Sequence, residues 1–212
     1  MSDGTFDDAF VGDLDRLLRW RRDVRRFRRE PLEPHVLPEI LEAAELAPSV
    51  GNSQPWRWVE VRSGAGRQAV RDSFTRCNTD ALRGYAGERA RLYSSLKLAG
   101  LDDAPVQLAA FCEPDPGQGH GLGRQTAPET LEYSVVTAVS TLWLAARARG
   151  VGVGWVSILE PAEVTAALDV PSTWKLVAYL CIGYPARETD TPELERAGWQ
   201  FRTSAEERLF VR

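Results

Sequence analysis

Disulfide and metal chemistry have little to work with in this sequence. Its 212 residues hold three cysteines and two histidines. Cys77, Cys112 and Cys181 are odd in number and far apart, and no two form a CxxC pair, which argues against a disulfide framework. Cys112 and Cys181 sit inside the apolar runs Ala109–Cys112 and Tyr179–Ile182, so buried free thiols are expected, and with them a reducing, cytoplasmic location. His35 and His120 are too isolated to build a metal site. No uncharged apolar run approaches the roughly 18 residues of a membrane span. The first eight residues are polar and acidic, without the basic-then-apolar pattern of a secretory signal. A formal charge of −4 gives no reason to expect nucleic-acid binding. The length suits one domain, 1–212, and neither repeats nor low-complexity segments divide it.

Lysine is nearly missing too, at Lys97 and Lys175 only, so the basic charge is almost all arginine. Eight arginines crowd into Arg16–Arg29 with a single acid, Asp23. Such a cluster is a solvated helix end or an anion site, most simply for phosphate, which arginine holds with two oriented hydrogen bonds; non-specific nucleic-acid binding is a weaker third reading that nothing else in the sequence supports. Asp23 reads as a structural counter-ion or as a carboxylate held beside a ligand as a general base. The run Gly117–Gly123 is glycine-rich but lacks both the GxGxxG spacing and the lysine of a phosphate loop, so it reads as a connection.

Periodicity predicts helices at 13–20, 36–46, in pieces over 67–97 with a break at Gly84 and Gly87, at 128–149 and at 161–168. Strands are expected at 56–62, 106–112, 151–158 and 175–183, the last a continuous apolar run. The 128–149 helix is apolar almost all round, as in a core helix or an oligomer seam. Two prolines and a glycine force an ordered loop over 47–56. The tail, 184–212, is polar with scattered apolar anchors, and must lie on its own domain or on a partner. Helices and strands mix without regular βαβ alternation, which places the chain in the α+β class.

Arg21-Arg22-Asp23-Val24-Arg25, the loop Ala47-Pro48-Ser49-Val50-Gly51-Asn52-Ser53-Gln54-Pro55-Trp56 and the strand Gly150-Val151-Gly152-Val153-Gly154-Trp155 together resemble the FMN-dependent nitroreductases. The stretches 94–101, 104–108, 142–148, 152–158 and 192–199, with Asp23 in place of that family's motif serine and with Ser157, are similar to its flavin-consuming branch, the 5,6-dimethylbenzimidazole synthases (BluB). The likeness runs from about residue 12 to 202.

The resemblance implies a nitroreductase-like fold, with a mostly antiparallel sheet flanked by helices and a C-terminal arm (about 184–212) extending to the partner of a homodimer. FMN would lie at the subunit interface. Arg21, Arg22, Asp23, Arg25, Ser49, Gly51, Arg89, Ser157 and Arg202 would bind it, with Arg202 near the phosphate. Residues of about 79–97 would form a lid. Asp23 and Ser157 would be catalytic. The implied reaction is the oxygen-dependent fragmentation of reduced FMN to 5,6-dimethylbenzimidazole, the cobalamin lower ligand, and erythrose 4-phosphate. A separate flavin reductase would supply the substrate, and no metal would take part. Two rivals share the fold. An NAD(P)H-dependent nitroreductase needs an open pocket for nicotinamide, and a non-catalytic flavin-binding protein needs neither Asp23 nor Ser157.

Overall fold

The computed structural model describes residues 4–95 and 100–212, so the last residues of the expected lid, 96–97, fall outside the described residues. In chain order the elements are α1 (Asp8–Trp20), α2 (Val36–Ala44), β1 (Trp56–Glu60), α3 (Gly64–Leu82), α4 (Gly87–Ser95), α5 (Gly100–Asp103), β2 (Val106–Cys112), α6 (Thr130–Ala148), β3 (Gly152–Val156), α7 (Pro161–Ala167), β4 (Lys175–Gly183) and α8 (Glu193–Arg196). The strands form one antiparallel sheet in the order β1-β2-β4-β3.

Alternation along the two central strands separates two cores. Leu108, Ala110 and Cys112 of β2, with Ala178, Leu180 and Ile182 of β4, face α2 and α6. Ala109 and Phe111, with Tyr179 and Cys181, enter a second cluster that includes Val70 of α3 and Val164 of α7. Both faces are covered, which is why these strands carry unbroken apolar runs. Inside the second layer, Tyr179 Oη donates to Gln107 Oε1 at 2.6 Å, and Gln107 Nε2 donates to Leu101 O at 2.9 Å. The buried amide is thereby satisfied, and α5 is tied to the sheet.

α6 buries Leu131, Ser134, Val135, Ala138, Val139, Leu142 and Ala146 at helical spacing against the sheet. Its other side leaves Tyr133 and Val136 exposed. α1 starts earlier than residue 13, because the Asp7 side chain accepts from Phe10 N at 2.9 Å and caps a longer helix. None of its residues is buried, and Phe10, Val11, Leu14 and Leu18 show an apolar face to solvent. The segment 67–97 breaks where expected, between α3 and α4. The tail lies on its own chain as far as Trp199, whereas 203–212 are exposed throughout. β1 and β3 are each shorter than the sequence predicts, ending at Glu60 and Val156.

Candidate active site

The site is built where the arginine-rich segment crosses the outer strand. Asp23 bridges Val153 in parallel, and Val24 N donates to Val153 O at 3.0 Å. This approach explains the alternating glycines of β3. A Cβ at Gly152 would stand 2.7 Å from Val24 Cγ2, and one at Gly154 would collide with the Val24 carbonyl oxygen. Only a strand without side chains at these positions lets 21–25 lie down on it.

The crossing aims the Asp23 side chain. Its Oδ1 accepts from Trp155 N at 3.0 Å, and its Oδ2 accepts from Arg25 Nε at 3.3 Å. Arg25 is the more buried partner, with a side chain 13% exposed against 38% for Asp23. The carboxylate is thus oriented by two donors yet open to a ligand, as a proton-transfer group requires. It lies at the junction of a groove of about 510 Å3, shared with Arg22, Arg25, Trp143 and Gly152, and a narrow cleft shared with Gly154, Trp155 and Cys181. Burial and the nearby Asp23 charge push the Cys181 thiol up to about 12, so it stays protonated. Ser157 follows directly after β3 and is exposed, two residues beyond the backbone N–H that holds Asp23.

Beside the carboxylate, cations converge. Arg21 is lowered from the usual arginine value by burial and then by the Arg202 guanidinium, and Arg22 is lowered by burial and then by Arg202 and Arg21. Among the described residues Arg21 has no carboxylate within ion-pair distance; its guanidinium sits 5.0 Å from the Trp143 ring centroid. Arg202 stands 3.9 Å from Glu195 and is 64% exposed. Mutually repelling guanidiniums of this kind are relieved by an anion, and a phosphate satisfies two of them at once. Arg22, expected among the cofactor-binding residues, is 8% exposed and its Nε donates to Asp190 O at 2.7 Å, so it braces the tail within the same cluster. Three more arginines of the basic run form ion pairs elsewhere: Arg16 with Asp13, Arg28 with Glu30 and Arg29 with Asp103.

Ser49 and Gly51 occupy a separate tight loop. Ser49 Oγ accepts from Gln54 N at 3.1 Å, Val50 N donates to Ser134 Oγ at 3.0 Å, and Thr137 Oγ1 donates to Pro48 O at 2.7 Å. Gly51, Asn52 and Gln54 all have positive φ, at 57°, 54° and 43°. The glycine-rich run is the mould for this loop. A Cβ at Gly119 would stand 2.7 Å from Ser53 Cβ, and one at Gly51 would stand 3.0 Å from Gly119 O.

These two groups do not meet within one chain. The Ser49–Gly51 loop is fastened to Ser134 of α6, while Arg22 O accepts from Trp143 Nε1 at 3.2 Å, nine residues further along. At 1.5 Å per residue the two fastenings are about 14 Å apart. Arg89 lies on α4 with its guanidinium 5.8 Å from the Trp199 ring centroid, which ties α4 to the tail. That contact, and the rings of Tyr85 and Tyr93 stacked at 4.9 Å beside it, escape sequence reasoning. The one available signal is a pair of tyrosines in an otherwise polar segment.

A Nitroreductase family model matches residues 18–184. The 5,6-dimethylbenzimidazole synthase of Rhodospirillum rubrum is 59% identical over 93% of each chain, and that of Rhodobacter capsulatus is 48% identical over 92% of this chain and 94% of its own. Among solved structures, an iodotyrosine deiodinase bound to FMN and 3-iodo-L-tyrosine superposes with a TM-score of 0.70 at 27% identity, covering 83% of this chain and 91% of its own. A BluB-like flavoprotein from Clostridium difficile superposes with a TM-score of 0.68 at 20% identity, over 94% and 99% of the two chains. The family match over most of the chain and the identity to these relatives have one meaning: the chain belongs to the nitroreductase family, in its 5,6-dimethylbenzimidazole synthase branch.

Proposed function

We propose that this protein is a 5,6-dimethylbenzimidazole synthase that consumes reduced FMN and oxygen and releases the benzimidazole and erythrose 4-phosphate. The observation that carries the reading is the Asp23 carboxylate, held by the Trp155 N–H beside a cluster of arginines. The curated relatives of 48–59% identity support the same reading.

The residues fit a phosphorylated flavin. Arg21 and Arg202 would take the phosphate, with Arg25 and Arg22 setting the floor of the groove. Fixing that end holds the sugar chain in place while bonds near the ring change. Asp23, oriented but open, would accept and return a proton at the chain that leads to the ring, and the Ser157 hydroxyl would hydrogen-bond at the ring edge. The flavin when bound supplies the reaction with oxygen. The chain's own contribution is to orient the molecule, exclude water and move protons.

A second copy of the chain would complete the site. Ser49 and Gly51 are remote from Asp23 along α6, and a homodimer packed through the exposed Tyr133 and Val136 would carry one protomer's loop toward the other's arginines. The exposed apolar face of α1, together with Phe201, Leu209, Phe210 and Val211, offers further surface for the same contact. A separate reductase would deliver the reduced flavin.

The test loads the purified protein with FMN, reduces it without oxygen, admits oxygen and follows products by mass spectrometry. Dimethylbenzimidazole formed at the expense of flavin is the expected result. Intact reoxidised flavin, with rapid NAD(P)H oxidation, would point to a nitroreductase instead. Intact flavin with no turnover would point to a binding protein.

A further inference from the structure

The lid and the phosphate end of the site are joined by one short piece of the tail. α8 ends in a Schellman turn: Gly198, at φ 73°, donates its N–H to Glu195 O at 3.0 Å, and Trp199 N donates to Leu194 O at 2.8 Å. The backbone hydrogen bonds therefore fix Trp199 relative to α8. The Glu195 side chain then takes Arg202 N at 3.2 Å and stands 3.9 Å from its Nε. Trp199 and Arg202 are thus carried on one small unit, tethered at its start by Arg22 holding Asp190 O.

The two ends of that unit face different elements. The Arg202 charge bears on Arg21 and Arg22. The Trp199 ring meets Tyr85 edge-on at 5.5 Å and lies 6.2 Å from Tyr93, with Arg89 over it. The lid side is anchored by Tyr93 Oη, which donates to Asn78 Oδ1 of α3 at 2.8 Å. Residues 87–94 of α4 are all exposed or half-buried, so little else holds this helix down.

We propose that Trp199 is a positioning residue through which the phosphate of the flavin, held by Arg202, sets the closure of the lid, so that the protein selects a phosphorylated flavin by turnover as well as by affinity. The inference rests on the reduced-FMN reading above. An anion between Arg21 and Arg202 removes their repulsion and fixes the arm. The fixed arm presents the Trp199 ring to Tyr85, Tyr93 and Arg89, and the helix carrying them settles over the site. A flavin without phosphate leaves the arm, and hence the lid, unfixed. Binding energy from a remote group is in this way used at the reacting centre.

The experiment reads the lid directly. Arg83, Arg89 and Arg91 are exposed trypsin sites on or beside α4. The wild type, Trp199→Phe and Trp199→Leu are digested alone, with FMN and with riboflavin, after circular dichroism has confirmed folding. Flavin affinity is measured alongside by fluorescence quenching, and benzimidazole yield per flavin consumed by mass spectrometry. FMN should protect the wild type and Trp199→Phe, and riboflavin at saturation should protect neither. Trp199→Leu should bind FMN within about threefold of wild type but lose the protection, with product yield falling about tenfold or more as flavin reoxidises intact. Equal protection by FMN and riboflavin, undiminished protection in Trp199→Leu, or parallel loss of affinity and protection in that variant would each overturn the coupling. Should Trp199→Leu fail to fold, Gly198→Ala, which strains the turn behind the ring, replaces it with the same expected outcomes. Failure of the wild type to bind either flavin would instead overturn the flavin reading itself.

Discussion

Asp23 Oδ1 accepts the backbone N–H of Trp155 at 3.0 Å, across 132 residues of sequence. The bond orients the carboxylate beside the groove, and with Arg25 on its other oxygen the side chain still stays open to a ligand. Asp23→Asn keeps an oxygen for Trp155 N but removes the proton acceptor. We expect FMN binding within a few-fold of wild type and benzimidazole formation reduced about 100-fold or more, the usual scale for losing a positioned acid–base group. Ser157→Gly should follow the same pattern more mildly. Mass spectrometry of single-turnover reactions checks both, and normal yields would remove both residues from the chemistry.

Gly154→Ala tests the crossing itself. The added methyl would drive into the Val24 carbonyl, a backbone atom that cannot swing aside. Overpacking of this kind costs about 1–3 kcal/mol, and in a chain of this size each kcal/mol lowers Tm by about 2–4 °C. We expect a melt several degrees lower and a weakened flavin site, because displacing Val24 also displaces Asp23 and Arg25. Unchanged melting and affinity would mean that the strand contact is looser than its geometry states.

Arg202→Ala should weaken FMN binding by about 10- to 100-fold, the range for one charge-assisted contact of about 1.5–3 kcal/mol. Riboflavin binding should hardly change, because it offers no phosphate. Titration of both flavins at two salt concentrations separates the charge effect from packing, since FMN binding should be more salt-dependent in the wild type than in Arg202→Ala, and riboflavin binding little affected in either.

The thiols give a pH prediction. Burial raises Cys112 from 9.0 to about 11 and Cys181 from 9.0 to about 12. A group whose folded value lies above its unfolded one stabilises fully below the unfolded value and loses that contribution as pH rises. The thiol contribution is therefore complete at pH 8 and declines from about pH 9 towards 11 for Cys112 and towards 12 for Cys181, measurable as a falling urea midpoint. In the native state at pH 8 a thiol reagent should modify half-buried Cys77 well before the other two, and all three in denaturant. Rapid native modification of Cys181 would contradict its packing against Gly100.

Val136→Glu addresses assembly. The residue is 37% exposed on α6 beside Tyr133, where a charge costs the isolated chain little. Sedimentation should shift from dimer to monomer, with loss of flavin affinity as the Ser49 loop is withdrawn from the partner's site. A wild type that sediments as a monomer would leave Ser49 and Gly51 without a ligand to face.

Much of the scaffold is legible locally. β2 and β4 occupy the residues that their apolar runs mark, and the helix break after Leu82 falls where the glycines place it. These features follow from side-chain periodicity and from residues that cannot continue an element, and both are properties of a short window. The resemblance to the nitroreductase family, carried by its motifs, brought Arg21, Asp23, Ser49, Ser157 and Arg202 to notice.

What those residues do to one another is not local. The sequence by itself determined that a carboxylate sits among arginines and that a strand carries glycines two apart. Only the tertiary structure decided that the two segments cross, that Arg22 braces the tail while Arg21 stays beside Arg202, and that Trp199 meets tyrosines more than a hundred residues earlier. The physical reason is that a hydrogen-bond or ring partner is chosen by the register and packing of whole elements. That choice is settled by the summed burial of both cores, and no single stretch of the chain contains it.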